Sequence, residues 1–358
     1  MPPSISSTSG AWNHGNSVTI SGSGFGTKSP ATPHWWDDFE SGILGSNIEG
    51  RTPLYGPANW DAGSIGGTNH EPTITDTQQR HSLSTRCAVC DDDPAEGNWN
   101  IRIRAPITAL GDGAKFYYFF RHRLSKNGVF SDNFKPADHY NSAFSADLYI
   151  GMGHPDTDPV LRTDNVMSDA PGALFNGSSQ SAVLDTWVAY EEEIGLALSG
   201  GTRRGWLHTP GAISQVWDDQ AMNRTLTAGN TIVNCTFGEY HNTGYNYIYH
   251  IDEVYIDNTF ARVMVGDAAT FTACAVREIQ IPTAWSSNSI TVIVKRNTFG
   301  LSATAYLYVI DSNGSPNSSG VPITFGGTGG DLITGLRGIG SIAGIPSTMD
   351  LGIRPLTP

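Results

Sequence analysis

No stretch of this chain is long and apolar enough to span a bilayer. The N-terminal Met-Pro-Pro-Ser-Ile-Ser-Ser-Thr-Ser-Gly carries no basic cluster followed by an apolar run. Neither membrane insertion nor a Sec signal encoded in this chain is expected. Basic residues are scarce, with 21 Lys and Arg against 34 Asp and Glu and a formal net charge of −13. No local Lys/Arg cluster reverses that sign, so the surface repels phosphate backbones and nucleic acid is not expected as a partner. Charged residues of both signs make up only 15% of the chain. Few segments repeat apolar residues at helical spacing for ten positions or more, which argues against helices as the main element. Cysteine is rare as well: Cys87 and Cys90 form a close pair, while Cys235 and Cys274 stand far apart. Without a second close pair or neighbouring histidines, zinc is not supported. A Cys235–Cys274 disulfide and free buried thiols both remain open.

What the chain has in quantity is turn chemistry. Gly counts 41 and Pro 20, Ser, Thr and Asn recur throughout, and the segments between them are rich in β-branched and aromatic residues, so the fold class is all-β. With 358 residues, two or three domains are favoured over one. The most pronounced strand is Tyr245 to Asp257, which contains no Gly or Pro. Strict alternation places Ile248, His250, Asp252, Val254 and Ile256 on one face and Tyr247, Tyr249, Ile251, Glu253 and Tyr255 on the other, as expected of a strand central to a sandwich. Lys115 to Leu124 alternates likewise, with Phe116, Tyr118, Phe120 and His122 opposed to Tyr117, Phe119, Arg121 and Arg123.

Several motifs follow one another in an informative order: Asp38-Phe39-Glu40, Trp187-Val188-Ala189-Tyr190-Glu191, Trp217-Asp218-Asp219, and Ile251-Asp252-Glu253-Val254-Tyr255-Ile256. Residues 35–268 thereby resemble the concanavalin-A-like lectin/glucanase jelly roll. At the N-terminus, Pro3-Ser4-Ile5 and Val18-Thr19-Ile20 running to Gly24-Phe25-Gly26 resemble the first half of an immunoglobulin-like TIG domain. Its second half does not follow there. It is resembled instead by residues 275–327, through Trp285-Ser286, Ile290-Thr291-Val292, Tyr306-Leu307-Tyr308-Val309-Ile310 and Pro322-Ile323-Thr324-Phe325-Gly326. The resemblance implies a jelly-roll β-sandwich plus a smaller immunoglobulin-like β-sandwich that is split, with strands at 1–30 and 275–327 and the jelly roll inserted between. A free N-terminal arm before two sequential domains is the alternative. Residues 328–358 are rich in Gly and Ile without strand-length runs, as suits a C-terminal arm that packs on other subunits.

Candidate chemistry is sparser. Glu191 and Glu193 alternate as a hydrolytic pair would, but the surrounding Glu191-Glu192-Glu193-Ile194-Gly195 departs from the Glu-x-Asp-x-x-Glu pattern of hydrolases on this fold, and a solvated charged face is the plainer reading. A lyase needs a Tyr or His base beside an Arg that neutralises a uronate; Tyr117, Arg121, Arg123 and His250 supply the residue types without the usual signatures. Sugar binding draws on aromatic faces, and Trp206, Tyr247 and Tyr249 join those four as candidate ligand residues. Glu40 and Asp252, on strands expected to pair, are the candidate ligands of a structural calcium. These features point to a non-catalytic structural or adhesion protein of an extracellular or virion surface, a phage tail or surface component, with polysaccharide as a ligand. The alternative is a secreted lyase or glycoside hydrolase acting on an acidic polysaccharide.

Overall fold

A computed structural model describes residues 2–62, 71–92, 102–126, 134–141, 146–153, 160–164, 180–181, 183–222, 226, 228–238 and 247–326. The C-terminal arm, residues 328–358, lies outside them. The described residues form antiparallel strands almost throughout, and no helix among them is long and apolar enough to cross a membrane.

Two sheets face each other as the jelly-roll sandwich. One contains β12 (Gln180–Ser181), β11 (Val160–Asp164), β10 (Ala146–Gly153), β9 (Phe134–Asn141), β16 (Ile232–Gly238), β7 (Arg102–Leu110) and β4 (Asp61–Ala62), in that spatial order. The other runs β15 (Ala212–Met222), β14 (Gly201–Thr209), β13 (Val188–Gly195), β8 (Lys115–Lys126), β17 (Tyr247–Asp257), β6 (Cys87–Asp92) and β5 (Thr73–Thr75), with β3 (Trp35–Asp37) also paired to β17. Between them lies a core that includes Trp35, Trp60, Phe116, Tyr118, Phe120, Tyr190, Phe237 and Tyr249. Gly205 lets that core close, because a Cβ there would sit 2.0 Å from Cε2 of Trp217. The Trp217 indole N–H donates to Glu192 Oε1 at 2.9 Å.

A third sheet joins both ends of the described chain, in the order β1 (Ser4–Ser9), β2 (Ser17–Ser23), β20 (Ser289–Ile293), β19 (Arg277–Trp285), β18 (Arg262–Gly266), β21 (Thr304–Ile310) and β22 (Val321–Thr324). β2 pairs with β20 from Ser17↔Ile293 to Ser21↔Ser289. β19 turns the corner, since its first half pairs with β18 and its second with β20, across a register shift between Pro282 and Ala284. The sheet thereby folds over a core of its own, which includes Val18, Ile20, Val263, Val265, Ile290, Val292, Leu307 and Val309. Arg262–Gly266, counted with the 35–268 unit on sequence, pairs in this smaller sandwich.

The β8–β17 sheet is buried on both faces. Trp35 faces the jelly-roll core, while its neighbour Trp36 joins Tyr117, Phe119, Tyr255, Met264, Ile279, Tyr308 and Ile310 in a cluster that welds the two sandwiches together. This explains why β18 and β21 read as nearly continuous apolar runs: a strand covered on both sides has no solvent face on which to place polar residues. The strict alternation expected of β17 fails at one point. Glu253 adopts φ 52°, and the pairing with β8 shifts register between Asp252 and Tyr255. This bulge changes the parity, so Tyr249 and Ile251 enter the jelly-roll core together with Val254 and Ile256. None of the four cysteines forms a disulfide; Cys235 lies in the jelly-roll core and Cys274 in the cluster between the sandwiches.

Candidate functional site

The face of the β8–β17 sheet turned towards the smaller sandwich carries most of the sequence candidates. On β8 it presents Tyr117, Phe119, Arg121 and Arg123; on β13, Glu191 and Glu193; on β14, Arg204, Trp206 and His208, paired across from Glu193, Glu191 and Ala189. His250 of β17 pairs with Arg123, and Asp252 with Arg121. Tyr117, Arg121, Arg123, Trp206 and His250 therefore share one surface. Tyr249 leaves this group. It is fully buried in the jelly-roll core, its ring centroid 5.1 Å from that of His122. Tyr247 lies in β17, and its side chain is outside the described residues.

Much of this surface is covered. The triplet Glu191-Glu192-Glu193, expected as a solvated face, is buried, with relative exposures of 1%, 0% and 2%. Each carboxylate meets a cation. Arg262 of β18 donates to Glu191 Oε1 at 2.7 Å and to Glu193 Oε1 at 2.8 Å, with its guanidinium 4.4 Å from the Tyr117 ring centroid. Arg204 also reaches Glu193, and on the opposite face Arg203 and Tyr118 hold Glu192. Burial alone would raise the Glu191 acid. Arg277, Arg262 and the hydrogen bond from His208 outweigh it and hold the group below the usual carboxylate range. Burial pushes the Tyr117 phenol well above its ordinary value, and the Glu191 carboxylate adds to that. Glu191 is thus locked as an anion and Tyr117 as a phenol, so neither is poised for acid–base exchange.

Arg121 is engaged in the same way. Its Nε donates to Glu253 Oε2 at 2.9 Å and its Nη2 to Glu278 Oε2 at 2.8 Å. Arg80 bridges the same two carboxylates, at 2.7 Å to Glu253 and 3.3 Å to Glu278. Burial raises Glu278, but Arg121 and Arg80 reverse that and hold it depressed. Lys295 with Asp38 at 2.5 Å and Lys28 with Asp257 at 2.7 Å extend the ionic seam between the sandwiches. Arg123, farther along β8, is half-buried and donates to Asp185 at 3.1 Å. His250 is buried, and burial reinforced by the Arg123 charge lowers it to about 4.

The expected calcium ligands lie near one short loop. Glu40 accepts from the backbone N–H of Thr85 at 2.8 Å, and Asp252 accepts from the Ser84 hydroxyl at 3.3 Å and from the N–H of Glu253 at 2.8 Å. Among the described residues no group of three or more His, Cys, Asp or Glu side chains is arranged to hold a metal ion.

Among the described residues, an opening lies where this surface emerges from under the smaller sandwich. A cleft of about 320 Å³ is lined by Arg80, Arg121, Trp187 and His208 from the jelly-roll side and by Arg277 and Glu278 from β19. That volume is at the small end of the range for ligand pockets, roughly 300–1,000 Å³. Burial brings His208 down to about 4, against the pull of its 3.0 Å hydrogen bond to Glu191. The neutral ring therefore donates through Nε2. Arg80, Trp187, His208 and Arg277 were not candidates on sequence. Trp187 was visible there as part of a strand motif, whereas Arg80 and Arg277 carry no local signal because the chain meets at this cleft from segments nearly 200 residues apart.

No protein-family model matches the chain, and no curated protein matches it. Among solved structures it is similar to a cellulose-induced protein, Cip1, with TM-score 0.43 and 18% identity over 63% of this chain and 97% of that one. It is also similar to the glycoside hydrolase family 131 catalytic domain from Coprinopsis cinerea, with TM-score 0.41 and 12% identity over 63% of this chain and 94% of that one. A carbohydrate esterase from the Shiga toxin-encoding bacteriophage phi24B follows, with TM-score 0.35 and 11% identity over 55% of this chain and 88% of that one.

Proposed function

We propose that the protein is a non-catalytic adhesion or structural module of an extracellular surface, a virion surface or tail component, whose jelly roll binds carbohydrate. The observation that carries this reading is the use made of the β8–β17 face. The carboxylates, tyrosine and arginine that a hydrolase or lyase on this fold would offer to substrate are paired with Arg262, Glu253 and Glu278 beneath the smaller sandwich. Groups committed in this way fix one sandwich on the other. They leave binding, not turnover, to the open cleft. The smaller sandwich is read as a split immunoglobulin-like TIG domain carrying the jelly roll as an insertion; the β2–β20 pairing supports this. Residues 328–358 are read as the arm that joins subunits, since Leu332, Ile333, Leu336, Ile342 and Ile345 have no strand or helix pattern of their own.

The test is turnover and assembly on the full chain. Incubation with alginate, glucuronan and neutral β-glucans is expected to release neither unsaturated nor new reducing ends. Light scattering is expected to find an assembly that becomes a folded monomer once residues 328–358 are removed. Product accumulation with turnover would return the enzyme reading, and a monomer at high concentration with or without the arm would remove the assembly claim.

A further inference from the structure

We infer that the cleft between the two sandwiches binds a carboxylated sugar, with Arg277 as the residue that takes the carboxylate. This rests on the carbohydrate-binding reading above and names its ligand class and site.

The inference begins with an accounting of charge. The ionic side chains around the inner end of the cleft are paired, but not equally closely. Arg121 and Arg80 divide their donors between Glu253 and Glu278, and Glu278 also accepts from Asn297 at 3.0 Å and Thr298 at 2.6 Å. Glu191 is satisfied by Arg262 at 2.7 Å and His208 at 3.0 Å. Arg277 is the most loosely paired of them. Its side chain is 4% exposed, yet its nearest carboxylate oxygen is Glu191 Oε2 at 3.6 Å, beyond hydrogen-bond reach, and its Nε is buried without a partner. A guanidinium drawn this far from water without a bidentate partner is costly, and it is the group in the site best able to accept a planar anion. The ring of Phe271, 4.3 Å from its Cζ, and that of Trp206, at 6.0 Å, hold it in position.

The second observation is Trp187. This indole lines the same cleft half-exposed, and its N–H is buried without a partner. The exposed part of this flat ring suits a pyranose, which stacks its axial C–H face on it. Thr186, Thr209 and Thr298 line the same cleft and supply further hydroxyl partners. A guanidinium, an aromatic face and several hydroxyls in one cleft suit a uronate, whose carboxylate would give Arg277 a closer partner than Glu191 at 3.6 Å. The arrangement draws Arg277 and Glu278 from β19 and Trp187 and His208 from the jelly roll. The site therefore exists only when the two sandwiches are docked.

The experiment uses the full chain with a short oligogalacturonate as probe and its carboxyl-reduced counterpart as control, by isothermal titration calorimetry. The expected result is at least a tenfold preference for the carboxylated oligomer. Arg277→Gln should abolish that preference, Arg277→Lys should retain part of it, and Trp187→Ala should weaken binding of the carboxylated oligomer about tenfold. The Lys and Trp187 variants keep the test decisive where loss of the Arg277 guanidinium disturbs folding. Equal affinity for the two oligomers, no saturable binding of either, or full affinity retained by Arg277→Gln would overturn the inference. The carboxylate preference tests the cleft alone, because cleavage, read by the assay above, decides the adhesion reading separately.

Discussion

Replacing Arg262 by Met is the most informative single perturbation of this molecule. Arg262 is 1% exposed and donates to Glu191, Glu193 and the carbonyl of Phe260, all at 2.7–2.8 Å. Met fills the space of the aliphatic stem and keeps contact with Tyr117, so the change removes the charge and leaves little cavity. Two buried carboxylates then lose their main partner. Breaking a buried ion pair from one side costs about 3–5 kcal/mol. Arg204 still reaches Glu193 and His208 still donates to Glu191, which places the loss at the lower end, about 3 kcal/mol. For 358 residues at about 2.1 cal/mol/K each, that corresponds to a fall in Tm of about 4 °C. Differential scanning calorimetry should record this fall. Adding Glu191→Gln and Glu193→Gln to the Arg262→Met variant should restore part of it, since neutral amides need no counter-charge. An unchanged Tm in the single variant, or a further fall in the triple one, would refute the view that this ion cluster holds the two sandwiches together.

Acid should weaken the fold through its buried histidines. Burial depresses His122 to about 3, and it depresses His208 and His250 to about 4. Because these values lie below an unfolded-state pKa of about 6.5, the stability the neutral rings contribute is complete above about pH 6.5 and is lost as the pH falls towards the folded values. Urea titrations at about pH 7 and about pH 5 should differ by about 2 kcal/mol per histidine; equal midpoints would contradict the buried-neutral assignment. The depressed carboxylates Glu191 and Glu278 act in a lower window, since their contribution is present above about pH 4.5 and lost beneath it. Millimolar calcium is expected to raise the Tm relative to chelator through Glu40 and Asp252, and superimposable melting curves would remove that ion from the account.

Much of the scaffold was legible in the chain because period-two patterns survive wherever a strand keeps two distinct faces. Phe116, Tyr118 and Phe120 separated cleanly from Tyr117, Phe119 and Arg121 on β8, and the structure keeps that separation. β17 shows the limit. The parity change at Glu253 is a backbone event within a run of strand formers, with no Gly to mark it, and it moved Tyr249 from the expected ligand face into the core. The triplet at Glu191–Glu193 misled for another reason. Whether a run of acids is solvated depends on what covers it, and besides Arg203 and Arg204 of the neighbouring strand this one is covered by Arg262, 69 positions from Glu193. Arg121 likewise finds Glu253 132 positions away and Glu278 157 positions away. The open cleft was out of reach on sequence for the same reason, as its two walls belong to units that meet only in three dimensions.

The pairing of β2 with β20 has a mechanical consequence. β1 and β22 are the two edges of a single folded sheet, so tension applied near residues 4 and 324 passes from strand to strand through the smaller sandwich. The chain between Ser23 and Arg262, which includes the whole jelly roll, hangs as a side loop off that line of tension. A pull on the protein therefore leaves the jelly roll unstretched until the hydrogen bonds of the smaller sandwich part. The β19 wall of the cleft, with Arg277 and Glu278, lies on that line of tension, so the ligand site would feel the force before the jelly roll does.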